Sequence, residues 1–287
     1  MVIRSVGVIG SGTMGAGIAQ TTAQHGYQVV LFDRSEEIVN KSKAAIDRQI
    51  DRLAEKGKLS AEAAADVKGA IRTTVRLSDM QECQLVIEAV PESMDIKRDV
   101  FRKLDESCPG ETILASNTSS FSITAIAAET SLPARVAGLH FFNPAPLMPL
   151  VEVVKGIRTS EETIRALLEF AASIGKSAVS CADTPGFIVN RVARPFYNEA
   201  LRILGDRIAT AEQIDRIMKR SGQFRMGPFE LQDLIGIDIN FSTTVSVYEA
   251  FYGDPRFRPH YYQQRMAQSG RLGRKTGEGY YSYEGTP

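Results

Sequence analysis

Two groups of residues in this 287-residue chain have the types and spacing for chemistry. The first is the turn Gly10-Ser11-Gly12-Thr13-Met14-Gly15, followed 23 residues beyond Gly10 by Asp33. In this pattern Gly10 permits a tight turn, Gly12 lets the backbone approach a pyrophosphate, and Gly15 lets helix and strand pack closely. The helix N-terminus that follows attracts the phosphate charge. Asp33 stands where a carboxylate would bond an adenosine ribose 2′-hydroxyl. Its charge repels a 2′-phosphate, which favours NAD over NADP, although the neighbouring Arg34 could accept such a phosphate. Apolar runs at 6–9 and 27–32 flank the turn and supply the strand, helix and strand context that the fingerprint requires.

The second group supplies a proton acceptor. Of the three histidines, His25 ends the first helix beside Gly26 and does little but cap, and His260 lies in a Tyr- and Arg-rich stretch that reads as surface. His140 closes the strand Val136-Ala137-Gly138-Leu139-His140-Phe141, and doubly wound sheets place their ligands at strand C-terminal ends. The chain then passes Asn143-Pro144-Ala145-Pro146-Leu147-Met148-Pro149 and returns as Leu150-Val151-Glu152-Val153-Val154-Lys155. In a hairpin centred on Pro146, positions whose numbers sum to 292 face each other, which sets Glu152 opposite His140. Glu152 is an acid within an apolar run, and a carboxylate there could fix the imidazole tautomer and stabilise the imidazolium, as a general base requires. The run Ser116-Asn117-Thr118-Ser119-Ser120 follows another strand and offers hydroxyl and amide groups at the same sheet edge, although helix capping would account for one or two of them. Asn190, expected in the second turn of a helix starting at Thr184-Pro185, is an amide among apolar residues that could reach a cleft.

The elements that position these groups follow from periodicity. Segment 36–58 reads as an amphipathic helix with apolar Val39, Ile46, Ile50 and Leu53, and Ser60 can cap a shorter helix through about Lys68. The next strand signal is 73–77, so about 40 residues separate it from the second strand, far more than a simple crossover needs. A helical hairpin inserted between strands and projecting from the sheet is expected, with a pair that merely covers the sheet as the alternative. Strands continue at 85–90, 112–115 and 136–141 with helices between them, and 178–181 closes the sheet. The fold class is therefore α/β, a doubly wound Rossmann-type sheet carrying the hairpin, followed by a smaller all-α domain. The expected domains are 1–183 and 184–287, the second beginning where the pattern becomes almost wholly helical; Met226-Gly227-Pro228 starts another helix with proline at its first position.

Composition narrows the partners. With 34 basic and 34 acidic residues there is no basic excess to hold a nucleic-acid backbone. No apolar run approaches the roughly 18 residues of a membrane span. Cys83, Cys108 and Cys181 are widely spaced, which suggests neither disulfides nor a metal site and points to a reducing compartment, with the cytoplasm as default. The first strand begins almost at once, without the features of a secretory leader.

These motifs, with Glu88-Ala89-Val90-Pro91-Glu92, His140-Phe141-Phe142-Asn143-Pro144, Asp183-Thr184-Pro185-Gly186-Phe187-Ile188-Val189-Asn190-Arg191 and Gly273-Arg274-Lys275-Thr276-Gly277, resemble those of the L-3-hydroxyacyl-CoA dehydrogenase family, 3-hydroxybutyryl-CoA type included. The resemblance covers nearly the whole chain. It implies that His140 takes the 3-hydroxyl proton while hydride leaves for NAD, that Glu152 orients His140, and that Ser119 and Asn190 bond the reacting oxygen or the thioester carbonyl. It further implies that Glu92, Lys97, Asn117 and Lys275 join the glycine turn in holding NAD, and that Lys56 meets the phosphates of an acyl-CoA. Gln49 departs from the family pattern, standing where some members have a serine for CoA. Short acyl chains and a homodimer through the C-terminal helical domain are expected by the same analogy. Two other readings are open to the sequence: a dehydrogenase of free sugar acids of the L-gulonate type, which needs no CoA-binding hairpin, and a non-catalytic crystallin-like relative, against which the intact Ser119, His140, Glu152 and Asn190 argue.

Overall fold

The computed structural model describes residues 2–283, which form two compact units, one ending at Thr184 and one starting at Pro185. The first unit carries eight strands: β1 Ser5–Ile9, β2 Gln28–Phe32, β3 Ile71–Thr74, β4 Leu85–Glu88, β5 Ile113–Ser116, β6 Val136–Phe141, β7 Leu150–Lys155 and β8 Ser177–Ala182. Its helices are α1 Thr13–Gln24, α2 Glu36–Glu55, α3 Ala61–Gly69, α4 Met94–Ser107, α5 Ile123–Ala127 and α6 Glu161–Ser173. The strands form one sheet in the order β3-β2-β1-β4-β5-β6-β7-β8, parallel except where β7 runs against β6. The central strands are apolar and buried on both faces, because helices cover both sides of a parallel sheet. One core layer joins Val6, Val8, Ile87 and Leu139 to the helix residues Ile18, Ile46 and Leu167; the opposite layer joins Ile9, Val86 and Leu114 to Phe101, Leu104 and Ile126. This is the doubly wound sheet that the alternation of elements predicts.

Caps set most helix starts. Ser35, Ser60, Ser122 and Ser160 accept the backbone N–H three residues on in α2, α3, α5 and α6. At the start of α6, Thr159 instead donates to the Val136 carbonyl at 2.6 Å, tying that turn to β6. The inserted hairpin is α2 and α3. It does not simply project: Val39, Ile46 and Ile50 are buried in the same core layer as Leu31, so its base covers the sheet. Its tip, with Lys56 and Gly57 at φ +67°, is exposed. The third strand lies at 71–74 and not at 73–77. The Thr74 hydroxyl donates to Asp79 at 2.6 Å and accepts from the Arg76 N–H, which turns the chain out of the sheet into a 3₁₀ turn at Leu77–Glu82.

The second unit holds α7 Val189–Gly205, α8 Ala211–Arg220, α9 Pro228–Ile235, α10 Ile237–Ala250 and α11 Tyr261–Gln268. The helix expected at Thr184-Pro185 begins at Val189 instead. Gly186 and Phe187 sit at φ +75° and +48°, a left-handed conformation that cannot continue into a right-handed helix, and the turn closes through Arg191 N–H to the Gly186 carbonyl at 3.1 Å. Asn190 consequently lies in the first turn of α7, not the second. Helix α9 starts at Pro228, where a missing N–H costs nothing. Asp215 of α8 caps it from outside, accepting from Phe229 N–H at 3.0 Å and Glu230 N–H at 2.9 Å.

Candidate active site

The glycine turn lies between β1 and α1, at the point where strand order reverses between β1 and β4. Gly10 has φ +93°, and a Cβ there would lie 2.7 Å from the Ala89 carbonyl oxygen beyond β4. At Gly15 a Cβ would meet the Gly10 carbonyl oxygen within bonding distance, so α1 packs against the turn at a separation only glycine allows. Gly12 is different: a Cβ there would meet nothing within 4 Å, and no side chain caps α1 at this residue. Helix α1 has no acid in its first turn. Open space, amides without a side-chain cap and a first helical turn without an acid suit a pyrophosphate. Asp33 bends back to the turn, its Oδ2 accepting from Ser11 N–H at 2.9 Å and from the Ser11 hydroxyl at 2.8 Å. The carboxylate is thus fixed beside the turn, as ribose recognition needs, while Arg34 is exposed. The residues present fit a dinucleotide.

At the same sheet edge, β6 and β7 pair with His140 directly opposite Glu152. His140 Nδ1 lies 2.8 Å from Glu152 Oε2; the histidine is 5% exposed and the glutamate 0%. His140 also packs on Phe142, ring centroids 4.5 Å apart. On the other side of β7, burial together with Glu152 and Asp183 pushes the Cys181 thiol up to about 12, so it stays protonated. Among the remaining histidines, His25 Nδ1 lies 2.8 Å from the Thr21 carbonyl at the end of α1, and His260 caps α11.

Between these groups lies the segment after β5. Asn117 Oδ1 accepts the Phe141 N–H at 2.9 Å, one residue beyond His140. Glu92 Oε1 accepts from the Thr118 hydroxyl at 2.6 Å, Ser119 N–H at 3.1 Å and the Ser120 hydroxyl at 3.2 Å. Burial raises the Glu92 carboxyl, but the Lys97 charge and these donors outweigh it and leave the group below its ordinary value. Lys97 is itself buried, its Nζ 2.8 Å from Glu88 and 3.1 Å from Glu92. Glu88 carries no role in the sequence reading. The signal was available, since it ends an apolar strand as the sole charge, as Glu152 interrupts one.

A groove of about 800 Å³ runs from Ser11, Gly12 and Thr13 along α1 and α2 to the Pro144–Pro146 loop. Its α2 wall includes Lys41, Gln49 and Arg52, and Lys56 follows one turn on at the exposed hairpin tip. In the second unit Asn190 opens α7, and Lys275 lies in a 3₁₀ turn with its Nζ 2.6 Å from Asp238 Oδ1. Among the described residues no helix is long and apolar enough to cross a membrane, and no cluster suits a metal ion.

Comparison with known proteins identifies this arrangement. Residues 5–184 match the family model for the 3-hydroxyacyl-CoA dehydrogenase NAD-binding domain, and residues 186–283 match the model for its C-terminal domain. The chain belongs to the 3-hydroxyacyl-CoA dehydrogenase family. Over 98% of its length this 3-hydroxyacyl-CoA dehydrogenase family member is 48% identical to 3-hydroxyadipyl-CoA dehydrogenase of Escherichia coli, although the match spans only 59% of that longer protein. It is 44% identical to 3-hydroxybutyryl-CoA dehydrogenase of Clostridioides difficile, covering 96% of this chain and 98% of the relative. The crystal structure of (S)-3-hydroxybutyryl-CoA dehydrogenase from Ralstonia eutropha superposes with a TM-score of 0.95 at 40% identity, covering 99% of this chain and 100% of that one.

Proposed function

We propose that this family member interconverts L-3-hydroxyacyl-CoA and 3-ketoacyl-CoA thioesters, with short acyl chains preferred, and that His140 is its general base. The observation carrying this reading is the buried 2.8 Å contact of His140 Nδ1 with Glu152 at the strand edge that holds the glycine turn. A carboxylate at Nδ1 stabilises the tautomer with its proton there, which leaves Nε2 with the lone pair that accepts a hydroxyl proton. As the imidazolium forms, Glu152 offsets its charge without needing to move. Gly10, Ser11, Gly12, Thr13, Met14, Gly15 and Asp33 would hold NAD, which when bound supplies the hydride acceptor. Glu92, Lys97, Asn117 and Lys275 are assigned to the same cofactor region by family resemblance. Ser119 and Asn190 are assigned to the substrate oxygens.

Lys56 would meet the CoA phosphates, a reading supported by the cation-bearing α2 wall of the groove and by the exposed tip that follows it. Removing one exposed cation near a phosphate costs about 1 kcal/mol. Lys56→Ala should therefore raise KM for acetoacetyl-CoA several-fold and leave KM for a truncated N-acetylcysteamine thioester unchanged. The free sugar-acid and crystallin-like readings are not favoured, because the three relatives compared above, each at 40% identity or more, are named for CoA thioesters. NADH consumption with acetoacetyl-CoA tests the reading directly: turnover supports it, and turnover of a free hydroxy acid alone overturns it.

The homodimer through the second unit is supported by exposed Val192, Ile208, Ile217 and Leu234 on its helices and loops, and a monomeric mass in solution would overturn it. Cytoplasmic residence is supported by three free cysteines, two of them buried, and is checked by fractionation. The domain roles follow the same division, with NAD at 1–183 and substrate and dimer contacts at 184–287.

A further inference from the structure

The Glu88–Lys97 ion pair is almost wholly enclosed, at 0% and 1% exposure, and the proposed reaction makes no direct use of Glu88. Such a pair is weak evidence for stability, because its Coulomb attraction must first offset the desolvation of two charges, and apolar side chains of similar volume often do as well. Its hydrogen bonds say more. Glu88 Oε2 accepts from the Ser116 hydroxyl at 2.6 Å, and Oε1 accepts from Val90 N–H and Lys97 Nζ, both at 2.8 Å. The Ser116 oxygen in turn accepts Thr118 N–H at 3.2 Å, and the Glu88 carbonyl accepts Asn117 N–H at 2.8 Å. From Lys97 the chain of contacts passes 3.1 Å to Glu92 Oε2, whose other oxygen takes donors from Thr118, Ser119 and Ser120. Ser116, Thr118, Ser119 and Ser120 are therefore held, directly or at one remove, by this row of alternating charges, while Asn117 is held by the Glu88 main chain. The Asn117 side chain ties the same segment to Phe141 N–H, next to His140.

We propose that Glu88 and Lys97 are positioning residues for the reaction: Glu88 anchors Lys97, Lys97 anchors Glu92, and Glu92 sets the place of Ser119. On this account Lys97 also serves the site through Glu92, besides the cofactor region to which the family resemblance assigns it. The inference rests on the dehydrogenase reading and deepens it. It explains why the site accepts a buried ion pair where an apolar contact would fold as well. A loop carrying three small residues in succession has little packing of its own to fix it, and a misplacement of about 1 Å at a reacting oxygen can cost on the order of 10²-fold in rate.

The test compares Glu88→Gln, which keeps the shape and removes the charge, with the paired apolar replacement Glu88→Leu/Lys97→Met. Acetoacetyl-CoA turnover, NADH affinity by fluorescence and thermal midpoint are read for each. The expected result is a tenfold or greater fall in kcat at saturating NADH for both variants, with the dissociation constant for NADH within twofold of the unmodified protein in Glu88→Gln, which keeps Lys97. The paired variant should recover any midpoint lost by Glu88→Gln, yet not its kcat. Ser119→Ala should add less than twofold in either background, because the serine is already misplaced there, and Glu88→Asp, which keeps the charge, should retain part of the rate that Glu88→Gln loses. Wild-type kcat in the folded paired variant, or full additivity with Ser119→Ala, overturns the inference, as does a tenfold loss of NADH affinity in Glu88→Gln. Absence of turnover by the unmodified protein would instead overturn the dehydrogenase reading, and this inference with it.

Discussion

Buried carboxylates are held in contrasting ways in the two units. In the sheet unit Glu88 meets the basic side chain of Lys97 and Glu152 meets His140, and the half-buried Asp105 meets Arg135, each at 2.8 Å. In the helical unit the acids are held by main-chain N–H groups and phenols. Asp233 accepts Tyr280 and Tyr281 N–H and the Tyr283 hydroxyl, each at 3.0 Å, and Asp215 accepts the first amides of α9 together with the Tyr281 hydroxyl at 2.7 Å. Burial raises Asp105, Asp215 and Asp233, and the balance then differs. At Asp105 the Ser131 N–H and Arg135 outweigh burial and lower the carboxyl, whereas at Asp215 and Asp233 burial prevails and the groups lie above their ordinary values. The first arrangement keeps charge fixed where chemistry is proposed. The second uses acids as anchors for a helix start and for the segment 280–283.

If that contrast is right, substitutions in the sheet unit should cost activity, and those in the helical unit should cost stability. The largest effect belongs to His140→Gln, which should lower kcat by roughly 10²–10⁴-fold, the usual contribution of a general base, while NADH still binds. Glu152→Gln should follow with a smaller loss of kcat and a shifted acid limb of the pH–rate profile. In the helical unit, Asp233→Ala leaves three donors without an acceptor and should destabilise it by about 3 kcal/mol. Hydrogen exchange at Tyr280 and Tyr281 amides would read that loss, with activity per folded molecule retained. Asp33→Ala should weaken NAD binding by about tenfold, equivalent to about 1.4 kcal/mol, and narrow the gap to NADP, measured by titration with both.

The smallest effect is the pH dependence, and its two signs differ. Asp105 is lowered in the folded state, so its contribution is present above the ordinary carboxylate value and is lost as pH falls through the folded value. Asp215 and Asp233 are raised, so between the ordinary and folded values the folded state binds more protons than the unfolded one. Stability of the helical unit therefore falls as pH rises through that window. Once the intrinsic pH dependence of exchange is divided out, the protection of α9 amides should accordingly fall as pH rises above the ordinary carboxylate range, and the protection of α4, which carries Asp105, should not. Equal slopes in both would dissolve the distinction.

Much of the sheet unit was legible because its signals are local. Glycine spacing, strand runs and the apolar stripe of α2 each act within a few residues, and the hairpin arithmetic reached the His140–Glu152 register because an antiparallel pair obeys a constant sum. What escaped the sequence was set by geometry between distant segments. The base of α2 and α3 lies on the sheet because Ile46 and Ile50 join the core layer that also holds Leu31, a tertiary choice that periodicity cannot make. The start of α7 moved from Pro185 to Val189 because Gly186 and Phe187 turn left-handed, and Phe187 gives no compositional warning of that. The Glu88–Lys97–Glu92 row falls within ten residues of sequence, but the segment it holds, 116–120 after β5, comes from another part of the chain, and no local window joins the two.

The β6–β7 ladder has a bearing on how this site can fail. Because facing side chains in such a ribbon alternate between its two surfaces, sliding one strand by a single position would bring Val151 or Val153 opposite His140 and carry Glu152 through to the reverse side. The proton acceptor and its companion would be lost together, never singly. Lys176 grips the connecting loop at the Ala145 and Met148 carbonyls, 2.6 and 2.9 Å away, and so works as a latch on alignment. A lesion at that lysine, remote from any reacting atom, should scatter the ribbon among misaligned forms and mimic an inactivated enzyme.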